Sequence, residues 1–312
     1  MDFGLSVRGA ILLGLCAFLF PDAIGGAEIF RVGTYNLENY LQRPVGTRPA
    51  KSSEGKAKVC ESLSALGADV VALQEVGDRE ALLELRASLK AKNLDYPYWE
   101  IVAGHDPNIQ VAVLSRFPIV ARRPHTNESF LLFGRRFPVS RGFAEVDIQV
   151  TPQVAFTLIT AHLKSRRPVA EADEAELREQ EALLLREKID ARLKSQPGSN
   201  LIVLGDFNDN RDSKSVRTII GRGRLAMVDL RPAERNGDDQ ANPNPRYPPR
   251  RITWTHHYGK EDTFSRPDYI LVNQAMAKRW NKTGTYILAL PNWGVGSDHR
   301  PIVAGFLVEE PR

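Results

Sequence analysis

Two packed mixed β-sheets with helices on their outer faces are the architecture that this 312-residue sequence predicts. Short apolar segments rich in Val, Ile, Thr and aromatic residues recur along the chain, bounded by Gly, Pro, Asn and Asp, as strands are. The few amphipathic helical segments between about eleven such strands cannot supply the crossovers that a singly wound parallel sheet needs. No repeat or linker divides the chain, and 42% hydrophobic content is enough for one large core. Stacked sheets flanked by helices bury the apolar faces of such a set of elements.

In chain order, Arg8 precedes the unbroken apolar run Ala10 to Phe20, and the small residues Gly25, Gly26 and Ala27 follow. That run is too short to cross a bilayer, so residues 1–27 read as a secretory signal cleaved near Ala27, which leaves one domain of residues 28–312. No second segment is long and apolar enough to span a membrane. Strands are expected at "IFRVGTYN", "DVVALQE", "YWEIVAG", "IQVAVLS", "GFAEVDIQV", "AFTLITAH", "NLIVLGDFN", "RITWTHH", "DYILVN", "TYILAL" and "RPIVAGFLV". Helices are expected at Lys56 to Leu66, Arg79 to Lys92 and Glu171 to Lys194; in the last, Leu177, Leu184, Leu185, Ile189 and Leu193 mark one face.

Cys16 would leave with the signal, so Cys60 has no partner for an internal disulfide. Beside Val59, Leu63 and Leu66 at helical spacing, it reads as a packed thiol. The formal charge of +4 becomes more positive once Asp2, Arg8 and Asp22 are lost, which suits an anionic substrate. Arg122, Arg123, Arg135, Arg136 and Arg141 crowd one segment, and Arg246, Arg250 and Arg251 crowd a proline-rich loop, "NPNPRYPPRR".

The informative pattern is where polar residues fall against these strands. Asn36, Glu75, His162, Asp206 and Asn208 close strands, while Asp268, Asp298 and His299 open them. Ends of strands running one way meet the starts of strands running the other, so these groups are expected to converge on one rim. Each alone has an ordinary role as a cap or turn residue. Together they crowd carboxylates and imidazoles in a way that is costly without a metal or ligand.

The strings "TYNLEN", "LQEV", "VAVLSRFP", "TAHLKS", "GDFND", "RPDYILV" and "SDHRPIV" resemble, in order and spacing, the endonuclease/exonuclease/phosphatase superfamily of metal-dependent phosphoesterases. The resemblance runs from about Arg31 to Val308. It implies the DNase I-like four-layer α/β sandwich, in agreement with the two-sheet reading. Glu75 would be the principal metal ligand, with Asn36 orienting it or completing the shell and Asp298 adding an oxygen; few protein oxygens suit Mg²⁺, with Mn²⁺ and Ca²⁺ as alternatives. His299 would be the general base, held by Asp268, with Asp206 positioning the water and Asn208 donating to a phosphate oxygen. His162, protonated, would donate to a non-bridging oxygen or act as general acid, and Arg141 and Lys164 would contact phosphate.

His162 stands where the abasic-site repair branch typically has tyrosine, which weakens a repair reading. The expectation is a secreted or periplasmic phosphodiesterase, a non-specific endonuclease first, whose partner is nucleic acid or another phosphate-ester substrate, with no stable membrane insertion of the mature chain and no protein partner inferred. A phosphomonoester, inositol phosphate or sphingomyelinase-like phospholipid activity is the alternative, with no long apolar hairpin evident for membrane insertion. A non-catalytic binding scaffold is the third reading, disfavoured by the complete set of candidate groups. His256 and His257 match no motif of the family.

Overall fold

The computed structural model describes Met1 and residues 28–235, 244, 246 and 251–309. Apart from Met1, the expected signal lies outside the described residues, as does most of the proline-rich arginine loop. The chain first forms β1 (Ile29–Tyr40), α1 (Ser53–Leu66), β2 (Val70–Val76), α2 (Arg79–Lys90), β3 (Tyr98–Val102) and β4 (Gln110–Ser115). Next come β5 (Ile119–His125), β6 (Ser129–Leu132), β7 (Arg135–Pro138), β8 (Phe143–Thr151), β9 (Val154–His162), α3 (Glu174–Ser195) and β10 (Leu201–Asp206). The remainder gives α4 (Lys214–Ile220), β11 (Val228–Asp229), β12 (His256–Tyr258), β13 (Thr263–Ser265), β14 (Asp268–Val272), α5 (Gln274–Lys278), β15 (Trp280–Ile287) and β16 (Ile302–Leu307).

Two six-stranded sheets result, ordered β15-β16-β1-β2-β4-β3 and β11-β14-β10-β9-β8-β5. Strand side chains alternate between faces, and the two-residue period assigns them to separate layers. In β2, Val70 and Ala72 join the core between the sheets, whereas Val71 and Leu73 pack toward Val59 and Leu63 of α1 and Leu82 and Leu85 of α2. In β10, Ile202 and Leu204 face the other sheet, whereas Leu201 and Val203 pack with Leu185 and Ile189 of α3 and Val216 of α4. The order helix, sheet, sheet, helix is the expected four-layer sandwich. Cys60 is a free, buried thiol on the inner face of α1, as its spacing predicts.

The helix starts carry their own signals: Ser52, Asp78 and Asp173 are extended N-cap residues whose side chains accept from the first turns of α1, α2 and α3. "RITWTHH" is a strand only from His256 onward. Sequence patterning misses β5, an edge strand of the second sheet, in which exposed Val120, Arg122 and Pro124 alternate with half-buried Ala121, Arg123 and His125; edge strands tolerate both the charge and the proline. Among the described residues, no helix is long and apolar enough to cross a membrane.

The topology creates the rim. β1 and β2 run parallel, and β16 runs antiparallel to β1. In the second sheet β9 and β10 are parallel and β14 is antiparallel to β10, so Asp206 lies level with both His162 and Asp268. Beneath this edge a buried polar tie joins the sheets: Thr34 Oγ1 donates to Gln74 Oε1 at 3.1 Å, and Gln74 Nε2 donates to Thr160 Oγ1 at 3.3 Å.

Candidate active site

Backbone irregularities aim the side chains. The β1 and β2 pairing shifts register between Asn36 and Tyr40, and β2 shifts against β4 between Leu73 and Val76. Within these bulges Glu38, Asn39 and Glu75 have φ of 47°, 56° and 61°, a left-handed backbone that non-glycine residues seldom adopt outside functional or tightly held positions. Asn39 N–H then donates to Glu75 Oε2 at 2.9 Å and fixes that carboxylate. Gly205, with φ 132°, lets β10 run against β9: a Cβ there would lie 2.1 Å from the Ala161 carbonyl oxygen. The glycine of "GDFN" thus places Asp206.

Asp206 sits at the centre. Its Oδ2 accepts from Asn36 Nδ2 at 2.9 Å and lies 3.5 Å from His162 Nε2 and 3.8 Å from His299 Nε2. His299 Nδ1 is 2.9 Å from Asp268 Oδ2, which also accepts from Thr255 Oγ1 at 2.6 Å. In the neutral imidazole this places the proton on Nδ1 and leaves Nε2, which faces Asp206, as the atom that takes up a proton. Ser297 braces the same loop: its hydroxyl donates to the Asn36 carbonyl at 2.7 Å and accepts from His299 N–H at 3.0 Å. Glu75 Oε1 stands 4.0 Å from His162 Nε2 and 3.5 Å from Asn36 Nδ2. Asp298 lies at the outer edge, its side chain 40% exposed, with its Oδ1 3.9 Å from His299 Nε2.

These surroundings set the charges. Burial, reinforced by Asp268, lifts Asp206 to about 6. Burial opposes a charged His299, yet Asp268, Asp206 and Asp298 outweigh it and raise the imidazole to about 10. His162 moves the opposite way: burial first, then Arg141 and His299, push it well below the ordinary imidazole range. These surroundings disfavour the protonated form of His162 that the sequence reading expects in the protein without substrate, and its Nδ1 is buried and unpartnered.

The structure brings Asn36, Glu75, His162, Asp206, Asn208, Asp268, Asp298 and His299 to one rim. Asn208 Nδ2 donates to the Leu163 carbonyl at 2.9 Å, and its second amide hydrogen is available to a ligand. Arg141 is buried behind His162, with Nη2 donating to Leu163 O at 2.6 Å and Nε unpartnered. Lys164 Nζ instead donates to the carbonyls of Ser165 and Arg167 at 3.0 and 2.9 Å, which ties the ammonium into its own loop. Arg300 is a structural residue, donating to Glu234 Oε2 at 2.6 Å and lying 3.3 Å above the Trp254 ring. Of the expected basic cluster, Arg122 pairs with Glu100, and Arg123 with Glu145 and Asp147. Arg135 and Arg136 remain exposed on the β6–β7 hairpin.

Sequence reading misses Glu38, Thr255 and Ser297, whose roles arise from contacts across strands. Glu38 Oε2 accepts from Asp298 N–H at 3.2 Å and lies 3.6 Å from Lys51 Nζ. Burial and the nearby Asp298 raise the Glu38 carboxyl, while burial lowers Lys51. The acidic residue in "TYNLEN" was the available signal. His256 approaches the site, whereas His257 turns away to Asp262.

The sequence matches the Endonuclease/Exonuclease/phosphatase family over residues 33–299. No curated protein matches it. Among solved structures, truncated Caenorhabditis elegans TDP2 is similar at 17% identity and a TM-score of 0.58, covering 90% of this chain and 98% of that one. The human Nocturnin catalytic domain with bound sulfate gives 17% identity and a TM-score of 0.61, over 89% and 94% of the two chains. Sphingomyelinase C from Streptomyces griseocarneus gives 19% identity and 0.60, over 90% and 100%. At these identities the likeness shows a common fold.

Proposed function

Because the chain belongs to the endonuclease/exonuclease/phosphatase family, a family of metal-dependent phosphoesterases, we propose that it is an exported phosphodiesterase acting as a non-specific endonuclease. The observation that carries the reading is the Asp268–His299 pair at 2.9 Å, whose open Nε2 faces the same small space as Asp206 and His162. Export rests on the pattern of residues 1–27 alone.

The residues present fit a hard dication. Asn36, Glu75 and Asp298 offer oxygen donors, and Asn36 lies between two carboxylate contacts, its Nδ2 2.9 Å from Asp206 Oδ2 and 3.5 Å from Glu75 Oε1, so acidic oxygens crowd this rim. Bound there, Mg²⁺, with Mn²⁺ or Ca²⁺ as alternatives, would neutralise the ester's charge and polarise its phosphorus. The protein's own part is proton transfer and positioning. Asp206 and Asn36 orient the attacking water, and His299 Nε2 takes its proton while Asp268 stabilises the imidazolium. His162, as a neutral N–H donor, and Asn208 hold non-bridging oxygens. Exposed Arg166 and Arg167 follow β9 at the same rim, and exposed Arg135 and Arg136 lie on the β6–β7 hairpin; such basic surface suits a polyanion, so binding is expected to weaken with salt.

A second reading has its own observation. The β6–β7 hairpin is anchored by buried Phe130 and displays Leu131 at 63% and Phe133 at 76% exposure beside Arg135 and Arg136. An apolar tip next to basic residues suits a lipid–water interface, which favours a phospholipid headgroup diester as substrate. The test is hydrolysis of supercoiled DNA, RNA, bis-p-nitrophenyl phosphate, p-nitrophenyl phosphate and sphingomyelin vesicles by residues 28–312, with and without EDTA, beside His162→Ala and His299→Ala. EDTA-sensitive nicking of DNA that both variants lose supports the first reading. Vesicle hydrolysis with DNA intact selects the second, and survival of every substrate rejects both.

A further inference from the structure

His256 plays no part in this mechanism, yet the fold holds it against the general base. The segment Thr255–His257 lies alongside Asp298–Arg300: Arg300 N–H donates to Thr255 O at 2.6 Å, His257 N–H donates to Asp298 O at 3.0 Å, and His256 and His299 form an antiparallel bridge. The two imidazole rings are 4.6 Å apart. Each has its Nδ1 engaged, His299 by Asp268 at 2.9 Å and His256 by Ser265 Oγ at 3.3 Å. Both Nε2 atoms consequently face one carboxylate: His256 Nε2 is 3.5 Å from Asp298 Oδ2, and His299 Nε2 is 3.9 Å from Asp298 Oδ1.

The ligand atoms of His256, Asp298 and His299 all lie within 4.8 Å of one another. Ligands about 2.0–2.1 Å from a tetrahedral ion are about 3.3 Å apart, so the two imidazole–carboxylate separations of 3.5 and 3.9 Å need only a small contraction. Partners on Nδ1 that fix the tautomer are what ligating histidines ordinarily have. Asp298 and His256 are partly exposed and give an ion a path in, with a fourth position left to solvent. Lys51, which pairs with Glu38 and donates to Gly296 O at 2.9 Å, is the nearby competing cation on the Asp298 side. Two imidazoles and one carboxylate select a borderline-soft ion, whereas Asn36 and Glu75 offer oxygen-type ligands for a hard one.

We propose that His256, Asp298 and His299 form a binding site for a Zn²⁺-like transition-metal dication, which shares Asp298 with the hard-cation position but draws its other ligands from His256 and His299 instead of Asn36 and Glu75, and that its occupancy inhibits the enzyme. Inhibition follows because an ion on His299 Nε2 uses the lone pair that the water's proton needs. This second half rests on His299 being the base; the site itself does not.

The test is Zn²⁺ calorimetry and Co²⁺ absorption spectroscopy on residues 28–312 in excess Mg²⁺, for wild type, His256→Ala and Ser265→Ala, with Mg²⁺-supported hydrolysis measured in parallel. Wild type is expected to bind one ion with visible Co²⁺ bands. Ser265→Ala should bind about tenfold more weakly, and His256→Ala at least about a hundredfold more weakly. His256→Ala should keep its Mg²⁺-supported rate within about twofold and lose Zn²⁺ inhibition. No Zn²⁺ binding by wild type, or unchanged affinity in a folded His256→Ala, overturns the site. Binding that requires His256 but leaves hydrolysis untouched overturns the inhibition and keeps the site. His256-dependent binding by a protein that hydrolyses nothing supports the site while rejecting the functional reading.

Discussion

Replacing Asp268 by asparagine keeps the shape of a fully buried side chain and removes the charge beside His299. Asp268 Oδ2 now accepts from both His299 Nδ1 at 2.9 Å and Thr255 Oγ1 at 2.6 Å, while its Oδ1 has no partner. An asparagine that keeps an oxygen toward His299 must put its NH₂ where no acceptor waits, which costs about 1–3 kcal/mol. Unit charges about 4 Å apart at an effective dielectric of about 20 interact by about 4 kcal/mol, equivalent to about three pH units. His299, now raised to about 10, should therefore titrate far closer to the ordinary imidazole range in Asp268→Asn. The rate limb governed by deprotonation of His299 should move toward acid. Its plateau should fall by about a hundredfold to ten-thousandfold, because the imidazolium formed during attack loses its partner.

Stability gives an independent readout with a definite sign. A histidine raised in the folded state contributes stability that is fully present below its unfolded value of about 6.5 and is lost as pH rises through its folded value. In EDTA, wild type should lose this contribution between the ordinary imidazole range and about 10, and Asp268→Asn should show a much flatter dependence over the same window. Kinetics on bis-p-nitrophenyl phosphate across the pH range, with melting curves in EDTA, test both. An unmoved rate limb with an undiminished plateau would refute the pairing argument, as would a limb displaced toward alkali.

Thr255→Val removes the hydroxyl that braces Asp268 and should lower kcat by roughly tenfold to a hundredfold with little change in KM, measured by steady-state kinetics. Glu75→Gln should raise the Mg²⁺ concentration needed for half-maximal activity while leaving the melting temperature in EDTA close to that of wild type; equal Mg²⁺ dependence would remove Glu75 from the metal position. Glu145 carries a prediction about stability. Burial opposes its ionisation, but His125, Arg123 and Arg192 hold it down to about 2, so its contribution is present above the ordinary carboxyl range and lost as pH falls through about 2. Glu145→Gln should remove about 3 kcal/mol and lower the melting temperature by roughly 6–12 °C at neutral pH, with activity per folded molecule preserved.

The parts legible in the sequence were those that both backbone and chemistry constrain. Asp206 follows a glycine that the β9–β10 approach requires, and His162 and Asp268 end and begin strands paired to it, so a pattern of polar residues at strand boundaries already located the rim. What stayed hidden depends on distances between segments far apart in the chain. Arg123 reads as a free basic residue until the β5–β8 pairing sets it against Glu145, and Lys164 reads as a phosphate ligand until its loop supplies two carbonyls. The state of His162 could not be read either, because a histidine closing a strand has the same sequence signature whether buried or open to water. The two histidines show this most directly. Both are almost fully enclosed, yet carboxylates surround His299 and raise it, while burial and Arg141 dominate at His162 and lower it. Identical residues at one rim are thereby driven in opposite directions, His299 toward the imidazolium that proton capture forms and His162 toward the neutral form that donates a hydrogen bond.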